Sequence, residues 1–536
     1  MRHEFRESGG WRTFLVNLGL VLLGALLFAA SFPNLLVVNG IPILGWIAFV
    51  PVFWAVHRVS LPASFFFGAL YGYTAYGLFN YWLSVFHPLA GLIVGSVYLF
   101  YFAVLFPLLK LASILFPRKG YILQWLLWIA YEYLRTLGFL GYPYGISGYS
   151  QWQVIPLIQI ANIFGVWGVS ALLVFFSAYA AAAFKDRPVR AFLKGEWAAG
   201  LVWLIALAAS LGYGFASRFD YSADDPDTPM IRFALIQHNT DPWRGGIADY
   251  RQNYETLKRL SLEAVAAEPK PDLVVWSETA FVPRIYWHTV YRDDPESWQL
   301  VKELLAFLET QDIPYIIGND DARREVNAAG VWDRVDYNAV MLFEGGKNTE
   351  LYRKLHLVPF TEHFPYEKQL PWVYTALKNA DTHFWEKGDT ATVFDAAGVK
   401  FSTPICFEDI FGYLSRDFVR GGAEIIVNLS NDAWSKSVPA QMQHLSMAVF
   451  RAVENSRSMV RSTASGQTCA IDPSGRVLAM AEPFTEAWLT AVVPVITRDT
   501  LYTFWGDLWG KLFTAAAAIM LILGIVRSIM RKGRNR

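Results

Sequence analysis

Cysteine and charge are both scarce in this sequence. Two cysteines in 536 residues exclude a disulfide framework and a four-cysteine metal cluster. Charged residues make up 17% of the chain, against about 25% in an average soluble domain. The 46 Lys and Arg are balanced by 46 Asp and Glu. With no basic excess to neutralise phosphates, a nucleic-acid partner is excluded as the main reading. An internal repeat and a glycine-rich phosphate loop are also missing. What is plentiful is apolar surface: 54% hydrophobic residues and 16% aromatic ones. That rules out disorder, and it is too greasy for one ordinary soluble globule.

The charge that exists is crowded into the middle of the chain. Residues 12–217 are nearly charge-free. They read as seven membrane-spanning helices over 12–31, 35–57, 63–85, 89–115, 121–139, 154–184 and 195–217, with an eighth near 511–530. Most are of the length needed to cross a hydrocarbon core of about 30 Å. The first apolar run is too long for a cleavable signal peptide and has no clear small-residue cleavage site. Lys and Arg cluster at the N-terminus, after the second, fourth and sixth spans, and in the tail. The alternate loops 32–34, 86–88 and 140–153 carry none. The positive-inside rule then puts both termini in the cytoplasm and the large segment before the last span outside it. Glu132 and Arg135 sit inside the fifth span at a spacing that lets them pair. They read either as a pair near the outer interface or as a headgroup contact.

The expected division is 1–219 for the first seven spans, 220–228 for an acidic linker, 229–497 for one soluble domain, and 498–536 for an interfacial segment, the last span and a basic tail. Within the soluble domain, short strand-like runs cover 231–237, 272–277, 315–318, 338–343, 401–406, 424–429, 459–463 and 468–471. Amphipathic stretches over 250–268, 295–311, 410–420 and 441–455 separate some of them. Such alternation implies a sheet covered by helices.

Three residue types in this domain carry chemistry. Cys406 ends an apolar run and precedes a helical pattern. A thiol at a strand-to-helix turn is expected to have a lowered pKa and to act as a nucleophile. A buried structural cysteine and a disulfide to Cys469 are the competing readings. Glu278 closes the run Asp272-Leu-Val-Val-Trp-Ser-Glu278, where open α/β sheets place ligands, and suits a general base. Its alternative is a helix-capping acid. Lys354, among apolar neighbours before Val358-Pro-Phe360, suits an oxyanion partner, with a solvated surface lysine as the alternative. His356, His363, His383 and His444 match no common zinc spacing, so no metal is expected.

In order, Trp276-Ser-Glu278, Arg353-Lys354-Leu-His-Leu-Val-Pro-Phe-Thr-Glu362 and Ile405-Cys406-Phe-Glu408 resemble the Glu–Lys–Cys pattern of the carbon–nitrogen hydrolase (nitrilase) superfamily. Asn428-Leu-Ser-Asn431-Asp-Ala-Trp434 and Ala464-Ser-Gly466 fit later segments of it. With eight expected spans, Gly141–Gln151 and Gln237-His-Asn-Thr-Asp-Pro-Trp243 added, the whole chain is similar to the apolipoprotein N-acyltransferase family. Two positions depart from it: Phe407 where the family usually has Tyr, and Thr361 where it has a small residue.

The resemblance implies a multi-pass helical membrane domain joined to a nitrilase-like α-β-β-α sandwich. It implies a bacterial inner-membrane acyltransferase with its catalytic domain on the periplasmic side. The acyl donor is then a membrane phospholipid. The acceptor is the α-amino group of a diacylglyceryl-cysteine on a lipoprotein, and no cofactor is needed. Glu278, Lys354 and Cys406 would form the triad, supported by Glu362 and Glu408, with Trp243 and Phe407 at the substrate. The aromatic stretches Phe281–Trp287 and Tyr366–Tyr374 are expected to face lipid. Two rivals are a membrane-anchored amidase, for which fewer spans would suffice, and a transporter with a non-catalytic outer domain. The second predicts repeat symmetry, which is missing.

Overall fold

The computed structural model describes residues 10–86, 90–185, 189–217, 228–241, 245–326, 330–379 and 384–534. The chain divides into two compact units. One comprises 1–220, 437–450 and 505–536, and the other 221–436 and 451–504. Most of the expected linker, 220–227, lies outside the described residues.

The first unit is helical. Among the described residues, five of its helices are long and apolar enough to cross a membrane: Trp11–Ser31, Ala90–Leu115, Val166–Lys185, Val189–Ser217 and Leu508–Gly533. The remaining three expected spans are modified. The second is broken into Pro42–Ile47 and Val50–Arg58. Leu61–Phe79 has 19 residues, but Tyr71, Tyr73 and Tyr76 and its glycines dilute its hydropathy. Gly120–Leu134 is 15 residues long. Helix Val189–Ser217 buries only Phe192, Gly214 and Ser217, leaving Val202, Leu204 and Ile205 exposed, as a lipid-facing helix does.

Small residues set the packing here. A methyl group on Gly68 or Gly72 of Leu61–Phe79 would strike the backbone oxygens of Phe102 and Tyr98. Glycines four apart thus let this helix lie directly on Ala90–Leu115. Glu132 and Arg135 do not bond to each other. Glu132 Oε1 accepts from the Ser147 amide at 3.0 Å and Trp128 Nε1 at 3.3 Å. Arg135 Nη1 donates to Tyr98 Oη and to the carbonyls of Tyr142 and Tyr144, among the rings of Tyr76, Tyr98 and Tyr131. Arg135 is buried and holds the loop that follows its own helix. The segment 437–450 also belongs to this unit. In it, Gln443 donates to the carbonyls of Pro33 and Phe79 and accepts from Trp82 Nε1 at 2.9 Å.

Among the described residues the second unit has twelve strands. They are β1 Met230–Gln237, β2 Leu273–Trp276, β3 Tyr315–Val326, β4 Trp332–Glu344, β5 Lys347–Arg353, β6 Val393–Ala396, β7 Val399–Ser402, β8 Ile425–Ser430, β9 Ser458–Thr463, β10 Cys469–Ile471, β11 Val477–Met480 and β12 Ala487–Pro494. One sheet runs β12-β1-β2-β3-β4-β5, the other β11-β10-β9-β8-β7-β6. Ser462 of β9 donates to the Val275 carbonyl of β2 at 3.0 Å, a direct tie between them. Helices Ile247–Ala266 and Pro295–Glu309 bury Leu257, Leu260, Leu300 and Leu304 against Ile236, Trp276 and Ile317. At roughly 1.5–3 kcal/mol per fully buried aliphatic side chain, such a layer is a large part of what holds the first sheet in shape.

Parallel pairing of β1 with β2, and of β7 with β8 and β8 with β9, gathers their C-terminal ends. Open α/β sheets bind ligands at such ends.

Candidate active site

Glu278 follows β2, Lys354 follows β5 and Cys406 follows β7. Each therefore leaves a strand and enters a turn. The Glu278 turn depends on an absent side chain. A methyl group on Gly318 of β3 would meet the Ser277 carbonyl, the Thr279 amide and the Glu278 Cα. Thr279 has φ 44°, so the chain bends sharply just past the carboxylate. Cys406 itself has φ 49°, a left-handed backbone that side-chain-bearing residues adopt rarely. Asn428 of β8 fastens that turn by donating to the carbonyls of Pro404 and Cys406 at 3.1 and 3.2 Å.

Lys354 is fully buried, with Nζ 2.9 Å from Glu362 Oε1 and 3.5 Å from Glu278 Oε1. Both carboxylates are themselves held. Glu278 accepts from Asn338 Nδ2 at 2.8 Å and from the Asn431 amide at 2.9 Å. Glu362 Oε2 accepts from the Val358 amide at 2.9 Å. Burial alone would neutralise the lysine, but Glu362 and Glu278 outweigh it and raise its pKa. Burial raises the Glu278 carboxyl, Lys354 opposes that, and Glu362 adds to it. Both Glu278 and Lys354 act on the Cys406 thiol.

The expected lowering of the cysteine pKa is reversed. Burial pushes the thiol well up, and the Glu278 charge pushes it further, against Lys354. Burial is the reason, and no α-helix terminus offsets it: Cys406–Ile410 is a 3₁₀ turn, and the α-helix starts only at Gly412. Cys406 and Cys469 are both free, which removes the disulfide reading.

Glu408 is buried and faces only donors. It accepts from the amides of Leu355, His356 and Ile405 at 2.7–2.9 Å and from Tyr352 Oη at 2.8 Å. It thereby joins the chain just after Lys354 to the chain just before Cys406. Burial pushes its carboxyl up to about 7. Phe407 packs on Phe411 and lies 5.9 Å from the His356 ring. Trp243 lies outside the described residues. The two aromatic stretches differ. Phe281 and Ile285 belong to the hydrophobic core, so the first is not a lipid-facing surface. In the second, Tyr366, Leu370 and Trp372 are exposed, Trp372 at 72%.

Several neighbours had no signal of their own in the sequence. Asn338 lies in an apolar strand, Asn431 contributes through its backbone amide, and Gly318 works by lacking a side chain. Asp409 and Asp432 flank the buried Arg461 as an ion triad.

Residues 232–500 match the model for carbon–nitrogen hydrolase. Residues 24–179 match that for the apolipoprotein N-acyltransferase N-terminal domain. Apolipoprotein N-acyltransferase 1 of Treponema denticola is 46% identical, covering 97% of both chains. The chain belongs to the apolipoprotein N-acyltransferase family. Apolipoprotein N-acyltransferase 1 of Treponema pallidum is also 46% identical, over 96% of this chain and 97% of that one. The apolipoprotein N-acyltransferase of Geobacter metallireducens is 31% identical over 95% of each.

Proposed function

We propose that this protein moves an acyl chain from a membrane phospholipid to the α-amino group of a lipoprotein's N-terminal diacylglyceryl-cysteine, through a thioester on Cys406. The observation that carries the reading is a fully buried Lys354 between Glu278 and Glu362, with Glu278 and Lys354 both acting on the Cys406 thiol. A buried ammonium with two carboxylates is costly for folding alone and suits a site where negative charge develops on a substrate oxygen.

The thiol is protonated at rest, so the first step needs a base. Glu278 takes the Sγ proton as sulfur attacks the ester carbonyl. Lys354 and a backbone N–H stabilise the tetrahedral oxyanion. Its collapse breaks the ester C–O bond, and Glu278 returns the proton to the departing lysophospholipid. The lipoprotein amine then attacks the thioester and Glu278 takes a proton from its nitrogen. The C–S bond breaks, an amide forms, and that proton restores the thiol. Glu362 orients Lys354. Glu408 holds the lysine and cysteine turns together.

This reading includes eight spans with boundaries at 219, 228 and 497, both termini in the cytoplasm, and the catalytic domain on the periplasmic side of a bacterial inner membrane. The exposed Trp372 segment faces lipid, and Trp243 and Phe407 border the substrate. Phospholipid supplied alone is expected to add one acyl mass to the protein and none to Cys406→Ala. Intact-mass measurement decides this: no adduct on the native chain under turnover conditions sinks the two-step scheme.

A further inference from the structure

The Cys406 sulfur has one neighbour that the scheme above leaves idle. Backbone register brings it there. Past the last paired residues of β7 and β8, Ile405 bridges Leu429 in parallel, and the Leu429 amide donates to the Pro404 carbonyl at 3.3 Å. One residue further along the two chains stand Cys406 and Ser430. Side chains alternate along a strand. Ser430 therefore shares the face of β8 from which Asn428 reaches the Cys406 carbonyl at 3.2 Å. Its side chain is fully buried and hydrogen-bonds to the thiol.

The proton of that hydroxyl is already committed. Ser430 Oγ donates to Asp432 Oδ1 at 3.1 Å, and a carboxylate can only accept. A hydroxyl has one proton, so at rest its oxygen receives the S–H of Cys406. Asp432 is itself fixed. Its carbonyl accepts from the Ser435 amide at 3.2 Å and the Ser435 hydroxyl at 2.9 Å. Its carboxylate lies 3.6 Å from Arg461 Nη2, while Arg461 Nη1 pairs with Asp409. A methyl group on Gly466 would strike the Asp432 Cβ and Oδ2. After burial itself, the charges acting on the sulfur are Glu278, Lys354 and Asp432. The two anions oppose a thiolate and the lysine favours it.

We infer that Ser430 is a further catalytic residue of the acyl transfer: its hydroxyl turns from Asp432 to donate to the Cys406 sulfur whenever that sulfur carries negative charge. This rests on the thioester reading for the moments at which the turn occurs. The first is the removal of the Sγ proton by Glu278, before the sulfur electron pair enters the new C–S bond. The second is the expulsion of sulfur by the lipoprotein amine, when the C–S pair returns to it. The hydroxyl then holds the anion until the proton taken from the amine nitrogen restores the thiol. Ser430 keeps its own proton throughout, and Asp432 keeps Arg461 while the hydroxyl is turned away. Hydrogen bonds to an ionised partner are about twice as strong as neutral ones, so the contact favours the charged sulfur over the resting thiol.

The test uses the full chain in detergent as native protein, Ser430→Ala and Asp432→Asn. Cys406 is only partly exposed, so a small reagent, iodoacetamide, is used, and alkylation against pH is read on the Cys406 peptide by mass. Ser430→Ala removes a donor to the thiolate. Its profile is expected to move up in pH, with alkylation at a fixed pH slowed roughly tenfold. Asp432→Asn removes an opposing charge and releases the hydroxyl, so its profile is expected to move down. A loosened site would wet the thiol and move both profiles down, so a purely structural role does not imitate opposite signs. Single-turnover loading from phospholipid is expected to slow in Ser430→Ala by a similar factor. The infrared S–H stretch that vanishes in Cys406→Ala is expected at the frequency of a hydrogen-bonded thiol, a measurement that needs no change at Ser430. A native profile in Ser430→Ala, shifts of one direction in both variants, or a free-thiol stretch overturns the inference. If the native protein takes up no acyl mass, the thioester reading falls instead, and the alkylation profiles and the S–H stretch still decide whether Ser430 serves the sulfur.

Discussion

Replacing Glu362 by glutamine tests the electrostatics of the site most directly. The side chain keeps its shape but loses the charge 2.9 Å from Lys354 Nζ. A hydrogen bond to a charged group contributes about 1.5–3 kcal/mol, and a neutral acceptor about half as much. The loss is then roughly 1–1.5 kcal/mol, or about five- to tenfold in the rate of thioester formation. Glu362→Ala also frees the Val358 amide and is expected to cost about a hundredfold, near 3 kcal/mol. The pH profile adds a sign. The Glu362 charge raises the Glu278 carboxyl, so its removal lowers that pKa. A base that stays ionised to lower pH moves the acid limb of the profile downward. The assay is single-turnover loading of Cys406 from phospholipid across pH, with quenched samples weighed intact. An unchanged rate in Glu362→Gln, or an acid limb that stays put or moves up, would refute the proposed coupling of the two carboxylates.

Other variants probe the frame around the site. Gly318→Ala forces a methyl group against the Glu278 turn, so loading should fall at least tenfold while circular dichroism still reports a folded protein. Glu408→Gln turns an amide NH₂ toward groups that all donate, which should lower stability by about 1–3 kcal/mol, read as an earlier melting transition. Arg461→Ala strands Asp409 and Asp432 without their buried partner. A loss of about 3–5 kcal/mol is expected, read as an earlier melting transition.

The sequence was most legible where a pattern is local. Strand-like runs at 231–237 and 459–463 match β1 and β9 within a residue, because apolar runs bounded by turns carry their own signal. The apolar run of β3 ends at 318, but the strand continues to Val326. Asp320, Asp321, Arg323 and Arg324 hid its second half, since their partners come from elsewhere: Arg353 reaches Asp321 at 2.7 Å. β6 and β11 are four-residue edge strands, too short to stand out. The helical half misled through tyrosine, proline and glycine, which broke the second expected span and thinned the third. Within the site, ordered motifs gave the chemistry-bearing residues and the supporting Glu362 and Glu408, while Asn338 and Gly318 carried no signal. Nothing local distinguishes Asn338 from any strand asparagine, and the Asn431 contact is made by backbone. The thiol's raised pKa is likewise a property of burial, which no short motif encodes.

The left-handed backbone at Cys406 constrains how its chemistry can be interrogated. Alanine or serine can stand in for it with little more than the existing torsional cost, and glycine would relieve even that. Valine or threonine, branched at Cβ, would fight the same torsion and disturb the loops Glu408 fastens. A dead enzyme made with either would report a reshaped turn as much as a missing sulfur, so the choice of inert replacement decides what its silence means.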